Sequence, residues 1–402
     1  MATRLLPFRT LAAVTALPLV LLACSAPAQK AAPTPSSPIS AVPAASPVPL
    51  VGPGPAPAPA AAPACGDGPA LLGAMSTRDK LAQLLMVGVR NAADARAVVD
   101  DYHVGGIFIG SWTDLTMLTD GSLPDIANAG PLPLAVSVDE EGGRVSRLSA
   151  LIGSAPSARV LAQTRTPDEV YQLALDRGRQ MKGLGITVDF APVVDVTAAA
   201  DDTVIGDRSF SNDPAVVTTY AGAFARGLRD AGLLPVLKHF PGHGHGSGDS
   251  HTGGVTTPPL ADLQADDLVT YRTLKAEAPV AVMVGHLQVP GLTGTDPASL
   301  SGAAVGLLRD GGYGGPPFGG PVFSDDLSSM AAISDRYGVA EAVLRSLQAG
   351  VDVALWVTTD EVPAVLDRLE KAVNAGELSM PAVEASLLRM AGIKGPNPRC
   401  GG

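Results

Sequence analysis

From Gly66 onward, short apolar runs alternate with stretches that carry apolar residues at helical spacing. The runs cover 85–89, 106–110, 134–138, 187–191, 234–239, 280–285, 321–324 and 351–357, and each reads as a buried strand. Helices are predicted over 76–84 with Ser76 as N-cap, 91–101, 166–183, 213–232, 260–277, 331–349, 361–374 and 381–391. Thr166, Pro167, Asp168 and Glu169 make a strong start: an N-cap, a proline at the first helical position, then acids in the first turn. Eight strands, nearly all followed by a helix, predict an α/β fold: a (β/α)8 barrel as a single catalytic domain over 65–402. The alternative is an open doubly wound sheet. No G-x-G-x-x-G opens a helix after the first strand, which weighs against it.

The front of the chain follows a different pattern. Arg4 and Arg9 precede an apolar run over 11–22, the arrangement of a secretory signal and too short for a convincing permanent span. Its end, Leu21-Leu22-Ala23-Cys24, resembles a bacterial lipobox. On that reading 1–23 is a signal peptide and Cys24 is the lipidated first mature residue. An ordinary signal peptide cut elsewhere is the alternative. Residues 25–64 are almost wholly Ala, Pro and Ser, cannot build a core, and would extend on the order of 120 Å as a tether. The protein is then exported and held by lipid at the outer face of the cytoplasmic membrane. Cys65 and Cys400 bracket the globular part, and an exported protein permits disulfides, so a Cys65–Cys400 bridge is predicted against the alternative of two free thiols.

The chain carries 28 Lys+Arg against 39 Asp+Glu, a net charge of −11, which argues against nucleic acid or an anionic membrane surface as the main partner. Barrel enzymes hold their chemistry at the C-terminal strand ends. The notable polar residues lie there: Asp139, Arg147, Asp195, Arg208, Lys238, His239, His286 and Asp325, with Asp195 and His286 equally readable as satisfied rim polars. The densest stretch is 238–251, KHFPGHGHGSGDSH. Lys238 and His239 end a strand, and the glycines predict a loop that presents Asp249 and His251. A carboxylate two positions from an imidazole orients it for proton transfer near neutral pH. His243 is expected to pack within the loop and His245 to be solvated. No zinc-type spacing accompanies these histidines, so neither a metal nor another cofactor is predicted. A cis bond is expected at Phe240-Pro241, where the chain turns off the strand.

With these residues in place, residues 76–395 resemble glycoside hydrolase family three, in its β-N-acetylglucosaminidase branch. DEEGGRVSR (139–147) resembles the family's substrate-binding segment, and IGDR (205–208) a segment supplying a sugar-contacting arginine, here Arg208. KHFPGHG, then four residues and DSH, matches the branch's most specific signature. SDDL (324–327) resembles the nucleophile segment, which makes Asp325 the nucleophile. The chain departs from S-D-D-L-x-M by placing Ser328 and Ser329 before Met330, a change that falls after Asp325. Many relatives carry a second α/β domain; the length here leaves no room for one, and the single-domain members resemble it better.

The resemblance implies a retaining exo-β-N-acetylglucosaminidase acting on terminal β-linked N-acetylglucosamine of wall or muropeptide fragments. Asp325 would form the glycosyl-enzyme, His251 would serve as acid and base, and Asp249 would orient His251. Asp139, Arg147, Arg208, Lys238 and His239 would bind sugar hydroxyls. Lys238, Arg147 and Arg208 would also keep Asp325 ionised. A histidine in place of an acid/base carboxylate would tolerate phosphate, so an N-acetylglucosaminide phosphorylase is the first alternative and a retaining β-glucosidase the second. A non-enzymatic wall-binding lipoprotein is disfavoured by the presence of Asp249, His251 and Asp325. The protein is expected to be a monomer.

Overall fold

The structure is a computed structural model that describes residues 61–274 and 279–401. The signal peptide, Cys24 and the tether up to residue 60 lie outside the described residues. Among those described, no helix is long and apolar enough to cross a membrane.

All eight predicted strands form: β1 (Leu85–Gly88), β2 (Gly106–Ile109), β3 (Ala135–Val138), β4 (Val188–Asp189), β5 (Leu234–Phe240), β6 (Ala281–Val284), β7 (Val322–Ser324) and β8 (Ala354–Trp356). They pair in parallel in the order β7-β6-β5-β4-β3-β2-β1-β8. A parallel bridge between Phe323 and Val353 closes the ring between β7 and β8. The barrel interior is a separate apolar cluster that includes Met86, Phe108, Phe190, Val236, Met283, Phe323 and Leu355, with Met390 of the last helix packed into it. The alternate side chains face the outer helices, so strands buried on both sides read as unbroken apolar runs.

The helix starts follow the expected chemistry. Ser76 and Thr166 each close a capping box with the acid three residues on, and Asn91 and Asp213 accept N–H groups of the first turns they precede. Two predicted helices are broken. The one over 260–277 divides into Leu260–Ala265 and Val269–Leu274, because Asp266 leaves helical geometry (φ −129°, ψ −84°) and Asp267 is buried beside His245. That over 331–349 divides into Ala331–Ser334 and Val339–Gln348, where Gly338 takes extended geometry as the second helix's N-cap. The helix after β6 is Gly302–Arg309, a stretch left unassigned from the sequence pattern.

Cys65 and Cys400 form a disulfide across 335 positions of sequence. Both ends of the domain fasten to one loop. Ala64 N–H donates to Pro131 O at 2.9 Å, and Asn397 Nδ2 donates to Gly130 O and Pro131 O at 3.1 Å each. This loop leads into β3, so the ends lie at the face opposite the C-terminal strand ends.

Candidate active site

The C-terminal strand ends enclose a cavity of about 320 Å³, at the small end for ligand pockets. Asp139, Arg147, Arg208, Lys238, His239, His251 and Asp325 all line it, so the predicted cluster is brought together.

One wall is a buried charge network. Lys238 Nζ, on β5, lies 2.6 Å from Asp139 Oδ1 and 2.6 Å from Glu141 Oε1. Arg208 grips Glu141 with Nε and Nη2, both at 2.8 Å. Glu141 is held far below the usual carboxylate range: burial opposes this, but Arg208 and Lys238 outweigh it. Lys238 is likewise raised against its own burial by Asp139 and Glu141. The geometry distinguishes the two arginines here. Arg208 does not present an open fork to a sugar, because Glu141, Val204 O and His239 Nε2 occupy most of its donors. Arg147 makes the freer contact, since its buried Nε has no protein partner. Glu141, at the centre of this network, was missed from the sequence. Its signal was the two-residue period of an extended chain: Asp139 and Glu141 face the pocket while Glu140 turns away to Arg177 at 2.5 Å.

Past β4 the chain still bridges β5 through Val193 and Lys238, which sets Asp195 beside His239. Asp195 Oδ2 accepts His239 Nδ1–H at 2.7 Å, and Oδ1 accepts the backbone N–H groups of His239 (3.2 Å) and His243 (2.7 Å). Burial would raise this carboxyl, but His239 and His243 lower it. Asp195 is thus no incidental rim polar; it fixes both the strand end and the base of the loop. The peptide bonds Ala191-Pro192, Lys238-His239 and Phe240-Pro241 are cis, the last as expected.

Asp325 continues β7 into the cavity, its N–H donating to Val284 O at 3.1 Å. Burial pushes its carboxyl up, and His286, His239, the Asp326 N–H and Lys238 more than offset that, holding it at about 2. The sequence assigned this task to Lys238, Arg147 and Arg208. Lys238 does take part in this, whereas Arg208 is committed to Glu141, and the neighbouring imidazoles and the Asp326 N–H contribute what the sequence did not assign. His286 is buried, with Nε2–H donating to Asp326 O and Nδ1 accepting from Ser299 Oγ, both at 2.7 Å. The extra serine is absorbed in a turn. Asp326 accepts Ser328 N–H and Oγ–H at 2.8 Å each and both N–H and Oγ–H of Ser329, while Ser328 Oγ accepts Val357 N–H at 3.2 Å.

The loop over 241–254 carries the other predicted pair. Asp249 Oδ1 accepts His251 N–H at 2.9 Å and His251 Nδ1–H at 2.7 Å. A carboxylate can only accept, so Nδ1 carries the proton and Nε2 is left for chemistry. Burial works against Asp249 ionising, but its bonds to the His251 backbone and ring lower it. Ser250 O and His251 O accept N–H groups of Ala332 and Ala331 at 3.1 and 3.4 Å, which lays the loop tip against the helix after β7. His243 is buried with Nε2 3.3 Å from Ser250 Oγ. His245 is not simply solvated: its ring nitrogens face Asp267 (3.1 Å) and Asp266 (3.7 Å), and Asp267 raises its pKa.

A closed parallel barrel with an ionised carboxylate at one wall, an oriented imidazole at another and a fixed charge network between them has the parts of a glycosidase. Family comparison agrees. The chain belongs to glycosyl hydrolase family 3: residues 76–393 match the model of its N-terminal domain. Over 400 residues it is 68% identical to the β-hexosaminidase LpqI of Mycobacterium tuberculosis, covering 98% of this chain and 99% of the relative. A solved structure of a family member from Mycobacterium smegmatis superposes with a TM-score of 0.80 at 77% identity, covering 81% of this chain and 99% of that one. A β-N-acetylglucosaminidase from Paenibacillus sp. superposes at 0.74 with 32% identity, covering 80% of this chain and 62% of that one.

Proposed function

We propose that this protein is a retaining exo-β-N-acetylhexosaminidase that removes single terminal β-linked N-acetylglucosamine residues from wall fragments. The observation that carries the reading is His251, oriented by its bond to Asp249, lining the same cavity as an ionised Asp325. The relatives named as β-hexosaminidase and β-N-acetylglucosaminidase support the substrate class.

In the first step an Asp325 carboxylate oxygen bonds to the anomeric carbon as the glycosidic C–O bond breaks. His251 Nε2–H gives its proton to the departing oxygen, and Asp249 stabilises the imidazolium before transfer. In the second step His251 Nε2 takes a proton from water, whose oxygen attacks the anomeric carbon and releases Asp325 with overall retention. Asp139, Arg147, Lys238 and His239 bind the sugar's polar groups, and Arg208 acts chiefly by holding Glu141. An imidazole at the proton-transfer position also accommodates an anionic acceptor, so phosphorolysis is the second reading. Turnover with and without phosphate, with detection of sugar 1-phosphate, separates the two.

We further propose export and attachment by lipid on Cys24. The pocket's position fits a tether, since the chain enters the domain at Ala64, at the face opposite the cavity. A net charge of −11 disfavours nucleic acid as a partner. The decisive experiment is to trap the glycosyl-enzyme with a fluorinated N-acetylglucosamine analogue and map the label. The expected site is Asp325, and Asp325→Asn should lower kcat by roughly 10⁴-fold or more. A label elsewhere overturns the mechanism.

A further inference from the structure

Trp112, just beyond the end of β2, stands on the ridge between two cavities. Its side chain lines the catalytic pocket and an adjoining cavity of about 380 Å³ over the ends of β1 and β8, and Val357 is shared in the same way. The indole is 46% exposed, whereas the chain's other tryptophan, Trp356, is wholly buried.

The seat of this ring is built for it. Phe108 meets it edge-on, with centroids 5.9 Å apart and planes at 61°. A Cβ at Gly110 would stand 2.4 Å from the indole, and one at Gly88 would stand 2.8 Å from it. Real Cβ atoms do not approach so closely, so glycine at both positions lets the ring lie against the strand ends. A flat aromatic is thereby fixed on one side and left open on the other.

The surrounding chemistry gives the ridge a direction. The polar side chains expected to grip the sugar stand at or beyond the ends of β3, β4 and β5. The wall at the ends of β2 and β8 is apolar, made by Phe108, Leu355, Val357 and Trp112. Beyond Trp112 the second cavity stays mostly apolar in its lining, with Arg90, Asp94, Thr358 and Asp360 contributing its polar groups. Arg90 pairs with Asp94 at 3.0 Å and faces Asp360 at 3.7 Å, so both donors and acceptors line this second cavity. A pocket with charged groups, followed by an apolar platform that carries a few donors and acceptors at its far side, fits two linked sugar rings, each with an apolar face and a polar edge.

We propose that Trp112 and this cavity form a leaving-group subsite that takes a second pyranose ring of the substrate. The axial C–H face of a pyranose carries partial positive charge and meets the negative face of the indole, while its hydroxyls reach Arg90, Asp94 and Asp360. The proposal rests on the glycosidase reading above and adds to it the surface that receives the leaving-group ring and selects on that side.

The test uses the intact protein and the variants Trp112→Ala and Trp112→Phe. Because Trp356 is buried, solvent-sensitive emission reports Trp112. In an Asp325→Asn background, a β-linked N-acetylglucosamine disaccharide should blue-shift or quench that emission, free N-acetylglucosamine should not, and Trp112→Phe should abolish the response. In turnover, Trp112→Ala should lower kcat/KM roughly 10-fold more on the disaccharide than on the methyl glycoside. An equal response to the monosaccharide, or equal losses on both substrates, would put Trp112 in the wall of the inner pocket and overturn the proposal. So would the absence of any response. If the wild type cleaves neither glycoside, the glycosidase reading fails, while the emission titration still decides the subsite.

Discussion

Two His–Asp pairs in this molecule share one geometry and differ in their surroundings. His239 and Asp195 meet through Nδ1 at 2.7 Å, and so do His251 and Asp249. The side chains of the first pair are 7% and 0% exposed; those of the second are 59% and 40% exposed. Asp195 spends its other oxygen on two backbone N–H groups, so its pair is a fastening between β5 and the loop after β4. His251 keeps Nε2 free at the cavity rim. The same bond thus fixes a backbone where water is excluded and primes a proton carrier where it is not.

The largest separation between the pairs should come from truncating each. His251→Ala should lower kcat by roughly 10²- to 10⁴-fold on unactivated glycosides. Its unfolding free energy should stay within about 0.5 kcal/mol of wild type, because an exposed pair contributes little to stability. Steady-state kinetics beside urea denaturation reads both quantities. Unchanged turnover would remove His251 from the chemistry.

Asp195→Ala should do the reverse, costing roughly 3–5 kcal/mol of stability because a buried imidazole and two buried N–H groups lose their acceptor. Asp195→Asn keeps the Oδ1 acceptor for both backbone groups and should recover a good part of that loss. A destabilisation below about 1 kcal/mol for the alanine variant would show that the fastening role is overstated.

This contrast also explains what could be read in advance. The Asp249–His251 pair was legible because its partners stand two residues apart on a glycine-rich loop. Asp195 and His239 are 44 positions apart, and Glu141 and Arg208 are 67, so only the closed barrel brings them together. The strands were legible as apolar runs buried on both faces. The helix break near Asp266 was not, since it follows from the burial of Asp267 beside His245 rather than from local propensity, and the one before Gly338 had only a single glycine to mark it. Trp112 carried no local sign of function either; its meaning depends on Gly88 and Gly110 lying beneath its ring.

A smaller effect concerns orientation within the exposed pair. Asp249→Ala should leave His251 in place chemically but free to rotate, lowering kcat on the order of 100-fold with little change in KM. Asp249→Asn should retain the acceptor for the His251 N–H while losing the charge that supports imidazolium. A kcat in the asparagine variant as low as in the alanine variant, with KM unchanged, would mark that lost charge. A kcat close to wild type would confine Asp249 to holding the loop backbone.

The smallest effect is on the pH dependence of stability, and it belongs to two buried histidines around the fixed side of the site. His243 and His286 are held below the ordinary imidazole range, chiefly by burial; nearby Asp195 and Asp325, respectively, pull the other way without prevailing. A group whose folded pKa is depressed binds fewer protons folded than unfolded, so its stability contribution is fully present above the unfolded value near 6.5. That contribution is lost as pH falls toward the folded value, by at most about 1.4 kcal/mol per pH unit for each group. Asp189 and Asp267 are raised by burial and act in the opposite sense, so the wild-type curve alone cannot isolate the histidines. The variants can: between pH 7.5 and 5.5, His286→Gln and His243→Gln should each lose less stability than wild type in urea denaturation, by no more than about 1.4 kcal/mol per pH unit. Stability curves parallel to that of wild type in both variants would mean that burial does not depress these imidazoles after all.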